Sequence, residues 1–186
     1  MLQEMRILVV GLLAAVAANA ETKAFPSTKH DVKTYGTYEW KNPPRIINAQ
    51  GGDEKDSPFV QLVRDAVNRQ LAAKGYREAP NGGDLQIISG AVAAKANQLE
   101  GFLVTLGFDA YWGYWFGMPY PVNSINRMGV LFVGMVDKTA NEGVWAGYDT
   151  EALDRVGSMN VDAAKGKIDK AASKLFKKLP ARAATK

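Results

Sequence analysis

Residues 128–137, MGVLFVGMVD, are apolar at consecutive positions. Because successive side chains of a strand point to opposite faces, such a run places apolar groups on both sides and reads as a central strand. After the turn-forming run Asp137–Gly143, residues 144–151, VWAGYDTE, read as its antiparallel return. The pair is a hairpin with a longer loop.

Two helices flank this hairpin in sequence. Ser57-Pro58 supplies an N-cap and a first-turn proline, and Phe59, Leu62, Val63, Ala66, Val67 and Leu71 recur at helical spacing until Gly75. Tyr76 follows the stop glycine and is expected to fold back on the last turn. The last helix starts near Asn160, carries Ala164, Ile168, Ala171, Ala172, Leu175 and Leu179 on one stripe, and stops at Pro180. Residues 33–41, KTYGTYEWK, place Tyr38 and Trp40 on one face of a strand and Thr37, Glu39 and Lys41 on the other, until Asn42-Pro43-Pro44 ends it. The stretch from there through Gly51, Gly52, Asp53 and Asp56 reads as a polar surface loop. A further strand lies in 84–92, DLQIISGAV. The expected fold is therefore α+β: a two-layer sandwich of order β-α-β-β-β-α, with an antiparallel or mixed sheet of about four strands and two helices on one face.

The segment 1–20 contains Arg6, an apolar run from Ile7 to Ala18 and the small-x-small ending Ala18-Asn19-Ala20. The run is shorter than the roughly 20 residues a spanning helix needs, so it reads as a cleaved secretory signal. Glu4 fits poorly in a positive leader, which suggests Met5 as the natural start; the mature chain would begin at Glu21. Residues 21–186 then form a single domain with an aromatic and Gly-rich insert at about 99–124, destined for the periplasm or the medium. Cysteine is absent, which excludes disulfides, thiolate catalysis and Cys-containing metal sites. The net charge of +4 favours anionic lipid or polysaccharide as a contact over nucleic acid.

With these elements placed, the chain resembles the bacterial envelope family known as domain of unknown function 4136. The resemblance rests on TYEW at 37–40, QLAAKGY at 70–76, GDLQI at 83–87, GVLFVGMVDKTANEGVWAG at 129–147 and the final amphipathic helix ending in Leu179-Pro180. It implies a secreted or outer-membrane protein and the fold above, and it implies no catalytic residue. Many members carry a lipid-attachment cysteine, which this sequence lacks, so a non-lipidated protein is expected.

Candidate chemistry is sparse. His30 is the single histidine and sits near the expected mature N-terminus, where catalytic geometry is hard to hold. Asp53, Glu54 and Asp56 cluster in a Gly-rich loop and read as a solvated turn beside a helix start. No metal and no cofactor is expected. Asp137, Asp149, Glu151 and Asp154 are the candidates for a hydrolytic carboxylate pair, although Asp137 stands where an Asp stabilises a turn. Lys167, Lys170, Lys174 and Lys178 flank the apolar stripe of the last helix and suit contact with anionic lipid or glycan, or simple solvation.

The insert concentrates Tyr111, Trp112, Tyr114, Trp115, Phe116 and Tyr120 in AYWGYWFGMPY. Gly and Pro interrupt it, and Asp109 precedes it, so spanning a membrane is disfavoured. Three readings stand: a cover for the sheet face left open by the helices, a patch that binds a protein partner or another copy, or an aromatic platform for glycan or the membrane surface. The functional expectation is a non-catalytic envelope protein that acts by binding.

Overall fold

The computed structural model describes residues 22–47, 53–94, 128–150 and 160–183. They form one sheet of seven strands and two α-helices. The strands are β1 (Thr22–Pro26), β2 (Thr37–Trp40), β3 (Arg45–Ile47), β4 (Arg77–Glu78), β5 (Leu85–Ala94), β6 (Met128–Asp137) and β7 (Glu142–Asp149). The helices are α1 (Pro58–Ala73) and α2 (Val161–Phe176). The path across the sheet is β1-β7-β6-β5-β2-β4, with β3 paired to β5 beyond the end of β2.

The sheet is mixed. β2 and β3 run parallel to β5, while β5–β6, β6–β7 and β1–β7 are antiparallel. The expectation of about four strands is corrected to seven. β1, β3 and β4 were missed because each is short and is defined by its partner: β4 has two residues, and β3 follows two prolines.

The register assigns faces. Met135 stands opposite Trp145 and Ile87, and Leu131 opposite Ala91, so these side chains share one face. α1 and α2 pack there and against each other. Val63, Val67, Leu71, Ile168, Leu175 and Phe176 meet Leu85, Ile87, Leu131, Val133, Met135 and Trp145 in one buried cluster. The Trp145 and Phe176 rings lie 5.8 Å apart. Ile88, Phe132, Val136 and Tyr148, on the other face, are also buried, as expected for a central β6.

Local chemistry closes both helices. The Ser57 side chain accepts from Phe59 N–H and Pro58 opens α1, as the sequence indicates. Gly75 takes φ +87°, where a side chain would be strained, and Tyr76 donates its N–H to Leu71 O at 3.0 Å. Tyr76 is buried and donates its hydroxyl to Val32 O, so it does return to the core. Asn160 caps α2 by accepting from Ala163 N–H at 2.8 Å.

Between Trp40, which pairs with Ile87, and Arg45, which pairs with Gly90, the outer strand takes five steps while β5 takes three. Two extra residues must therefore leave the sheet plane, and Pro43 and Pro44, lacking N–H groups, are suited to that interruption. Lys41 still donates to Ile87 O at 3.1 Å before the chain bulges. β2 and β3 are thus one broken strand, and the break shapes the neighbouring surface.

Candidate functional site: a groove at the broken strand

On the helix side of β2, Tyr38 and Trp40 reach Asn68 of α1. Asn68 Oδ1 accepts from the Tyr38 hydroxyl at 3.0 Å and from Trp40 Nε1 at 2.9 Å. Its amide nitrogen donates to Glu78 Oε2 at 2.9 Å, and Arg64, one turn earlier on α1, donates to Glu78 Oε1 at 2.7 Å. The Arg64 guanidinium also stands over the Trp40 ring, 5.3 Å from its centre. Burial, with the Glu78 charge adding to it and Arg64 opposing it, pushes the Tyr38 phenol up to about 12, so it acts as a neutral donor.

On the opposite side of β2, Glu39 accepts from Lys138 at 2.8 Å and from Gln86 at 3.2 Å. The Lys138 hydrogen bond, followed by that from Gln86, holds the Glu39 carboxyl below its ordinary range. Past the break, Arg45 grips Asp53 Oδ2 through two nitrogens, at 3.0 and 2.8 Å. Asp53 Oδ1 is enclosed and has no donor among the described residues.

Two cavities follow this line, of about 340 and 520 Å³, both within the range of small-molecule sites. The first lies among Trp40, Lys41, Arg64, Glu78, Asn81 and Gln86. The second lies among Pro44, Arg45, Asp53 and Lys55. Asn42 and Pro43 line both, so the cavities meet at the bulge and form one groove. Each carboxylate along it has a cationic partner, whereas Lys41 and Lys55 are exposed and pair with no acid among the described residues.

A second polar cluster joins the segment after β1 to the hairpin turn. His30 Nε2 lies 2.8 Å from Glu142 Oε2, and His30 Nδ1 lies 3.3 Å from the Tyr35 hydroxyl. Tyr35 donates to Asp137 Oδ2 at 2.7 Å. Asp137 Oδ1 accepts from Thr139 and Ala140 N–H at 2.7 and 2.8 Å, the turn role expected of it. Those contacts, led by the Ala140 N–H, hold the Asp137 carboxyl low, while His30 and then Lys29 do the same for Glu142. Burial, reinforced by Asp137, drives the Tyr35 phenol well above its ordinary range. His30 is therefore tied into the fold by tertiary contacts, and its place near the expected N-terminus gave no sign of them.

The sequence-derived candidates fall as follows. Tyr111, Trp112, Tyr114, Trp115, Phe116 and Tyr120 lie outside the described residues, as do Glu151 and Asp154. Asp149 stands opposite Leu131, six residues along β6 from Asp137, so the two acids are roughly 20 Å apart and share no site. Asp149 is fully buried and accepts from Thr22 Oγ at 2.6 Å; burial pushes its carboxyl up, against the pull of Lys174 and Lys170. Lys174 and Lys170 of the lysine row thus act electrostatically on Asp149, and Lys167, Lys170 and Lys178 are exposed to solvent. Asp53 of the acidic loop pairs with Arg45. The groove was missed because its residues come from β2, the bulge, α1 and the turn after β4; the visible signal was Trp40 on the helix face beside Asn42-Pro43-Pro44.

Residues 23–181 match the family model described as domain of unknown function, DUF4136. The chain belongs to the DUF4136 family. Among solved structures, it is similar to a DUF4136 family protein from Bacteroides thetaiotaomicron, with 16% identity and a TM-score of 0.52, over 84% of this chain and 95% of that one. It is also similar to the PelC dodecamer from Paraburkholderia phytofirmans, with 13% identity and a TM-score of 0.42, over 85% of this chain and 99% of that one. None of the curated proteins matches it. For this DUF4136 chain the first of these likenesses supports the fold.

Proposed function

We propose that this DUF4136 chain is a secreted or periplasmic, non-catalytic envelope protein that acts by binding, and that the groove beside Trp40 is its binding site. The observation that carries the reading is that two cavities share Asn42 and Pro43, the first of them lined by Trp40, Arg64 and Glu78, which the Asn68 network already holds in place. Concavities of this size that carry a few placed polar groups are where proteins take small ligands. The leader-like residues 1–20 support the compartment.

The Trp40 indole N–H reports on the groove by NMR, with the buried Trp145 N–H as an internal reference. Titration with soluble oligosaccharide, anionic phospholipid vesicles and a proline-rich peptide is expected to move the Trp40 signal with one of them and leave Trp145 in place. No movement with any of the three overturns the reading.

The six aromatics from Tyr111 to Tyr120 support a second reading, association with a protein partner or another copy. Sedimentation of the full chain and of one lacking residues 101–122 tests it: a folded, monomeric deletion beside an associating full chain is the expected pattern.

A further inference from the structure

We infer that the groove binds an oligosaccharide carrying carboxylate groups, an inference that rests on the groove being a binding site. The lining decides the chemical class. Asn42 and Asn81 are exposed carboxamides that spend no hydrogen bond within the described residues, and Gln86 donates to Glu39 but keeps its carbonyl oxygen. A carboxamide both donates and accepts, which is the complement of a hydroxyl, itself donor and acceptor. The half-buried Trp40 ring adds an apolar face of the kind that packs on the C–H surface of a sugar ring.

Charge narrows the class. Glu39, Glu78 and Asp53 are matched by Lys138, Arg64 and Arg45 at 2.7 to 2.8 Å. A cationic ligand would have to displace one of these partners and leave it uncompensated. Lys41 and Lys55, one at each cavity, are cations over and above those pairs, so the excess along the groove is positive. Two exposed ammonium groups separated by the Asn42-Pro43 wall fit an anion repeated along a chain better than one compact polyanion.

The form of the groove points the same way. Two cavities that share Asn42 and Pro43 in their lining suit a ligand made of linked units. A peptide strand adding to the sheet would need free donors along the broken edge, and Pro43 and Pro44 supply none. Glu54 N–H, moreover, is already bonded to Ile46 O at 2.8 Å on the β3 side.

The test uses the full chain with three probes at low salt: tetragalacturonate, cellotetraose and vesicles of anionic phospholipid. Tetragalacturonate is expected to shift the Trp40 indole and the Asn42 and Asn81 amide signals, with an affinity at least tenfold above that for cellotetraose and a dependence on added salt. Lys41→Ala, an exposed position, should weaken tetragalacturonate about fivefold and cellotetraose less than twofold. Asn81→Gly keeps the left-handed backbone at φ 63° and removes only the amide, and should weaken both sugars about fivefold. Equal affinity for the two sugars overturns the acidic assignment. Signals that move with vesicles alone overturn the saccharide but leave the groove as a binding site, and silence with every probe overturns both.

Discussion

The cluster around Asn68 and the cluster around His30 are built from the same parts: an aromatic hydroxyl or indole, a carboxylate, a cation and a pivotal nitrogen side chain. They differ in what is left over. At His30, both ring nitrogens, the Tyr35 hydroxyl and both Asp137 oxygens are spent on one another and on the hairpin turn. At Asn68 the network runs up to a cavity wall, and Lys41, Asn42 and Asn81 beyond it keep unspent donors and acceptors. A polar network that closes on itself fixes the position of a segment; one that ends at a concavity with surplus groups can hold a ligand.

The largest expected effect removes the distinction by damaging the strand next to both clusters. A side-chain carbon at Gly83 would overlap the backbone of Tyr38 and Glu39, which no rotamer change relieves. Gly83→Ala should cost about 3 kcal/mol in urea denaturation, at the upper end for overpacking, and disturb the Trp40 and His30 signals together. Asn68→Ala separates the two regions. It strands the Tyr38 hydroxyl and the Trp40 N–H without their shared acceptor, so a loss of about 2 kcal/mol is expected while the His30 ring resonances stay fixed. If His30 moves as much as Trp40, the clusters are one unit and the contrast fails.

Acid should act on the His30 cluster. The Asp137 and Glu142 carboxyls are depressed in the fold, so their contribution is present above the ordinary carboxylate range and is lost as pH falls through the folded values. Stability should therefore drop below about pH 4, and Asp137→Asn should flatten that drop while costing about 1 kcal/mol at pH 7, allowing for solvent screening. Asp149 has the opposite sign. Its carboxyl is raised by burial, so its favourable contribution belongs to low pH and disappears as pH rises through the folded value. Asp149→Asn, which keeps an acceptor for Thr22, is expected to raise stability by up to about 1 kcal/mol at pH 8 and by less at pH 4. A net loss at pH 8 would mean that attraction to Lys170 and Lys174 outweighs desolvation.

The two helices were legible because each carries its own start signal and apolar stripe within about twenty residues, although α2 ends at Phe176, four residues short of the expected stop at Pro180. Ser57-Pro58 and Gly75 bracket α1, and Asn160 opens α2. The hairpin was legible for the same reason, though its return strand begins two residues earlier than VWAGYDTE and carries an extra residue, Val144, opposite the step from Met135 to Val136. β1, by contrast, has no alternation to show: Thr22–Pro26 is a strand because β7 offers it an edge. In the sequence β3 looks like loop because Asn42-Pro43-Pro44 ends a strand locally, whereas in the fold β5 remains beside it to resume pairing at Arg45.

Sequence by itself determined the elements whose stabilisation is local in chain distance: capped amphipathic helices, a doubly apolar central strand, and a turn at Asp137 that binds its own backbone. Tertiary structure alone decided the seven-strand sheet, the His30 cluster and the groove. Asn68 is ten residues from Glu78 and 28 from Trp40, and His30 is 112 from Glu142. No spacing rule spans such distances, because partners that far apart are set by which strand lies beside which.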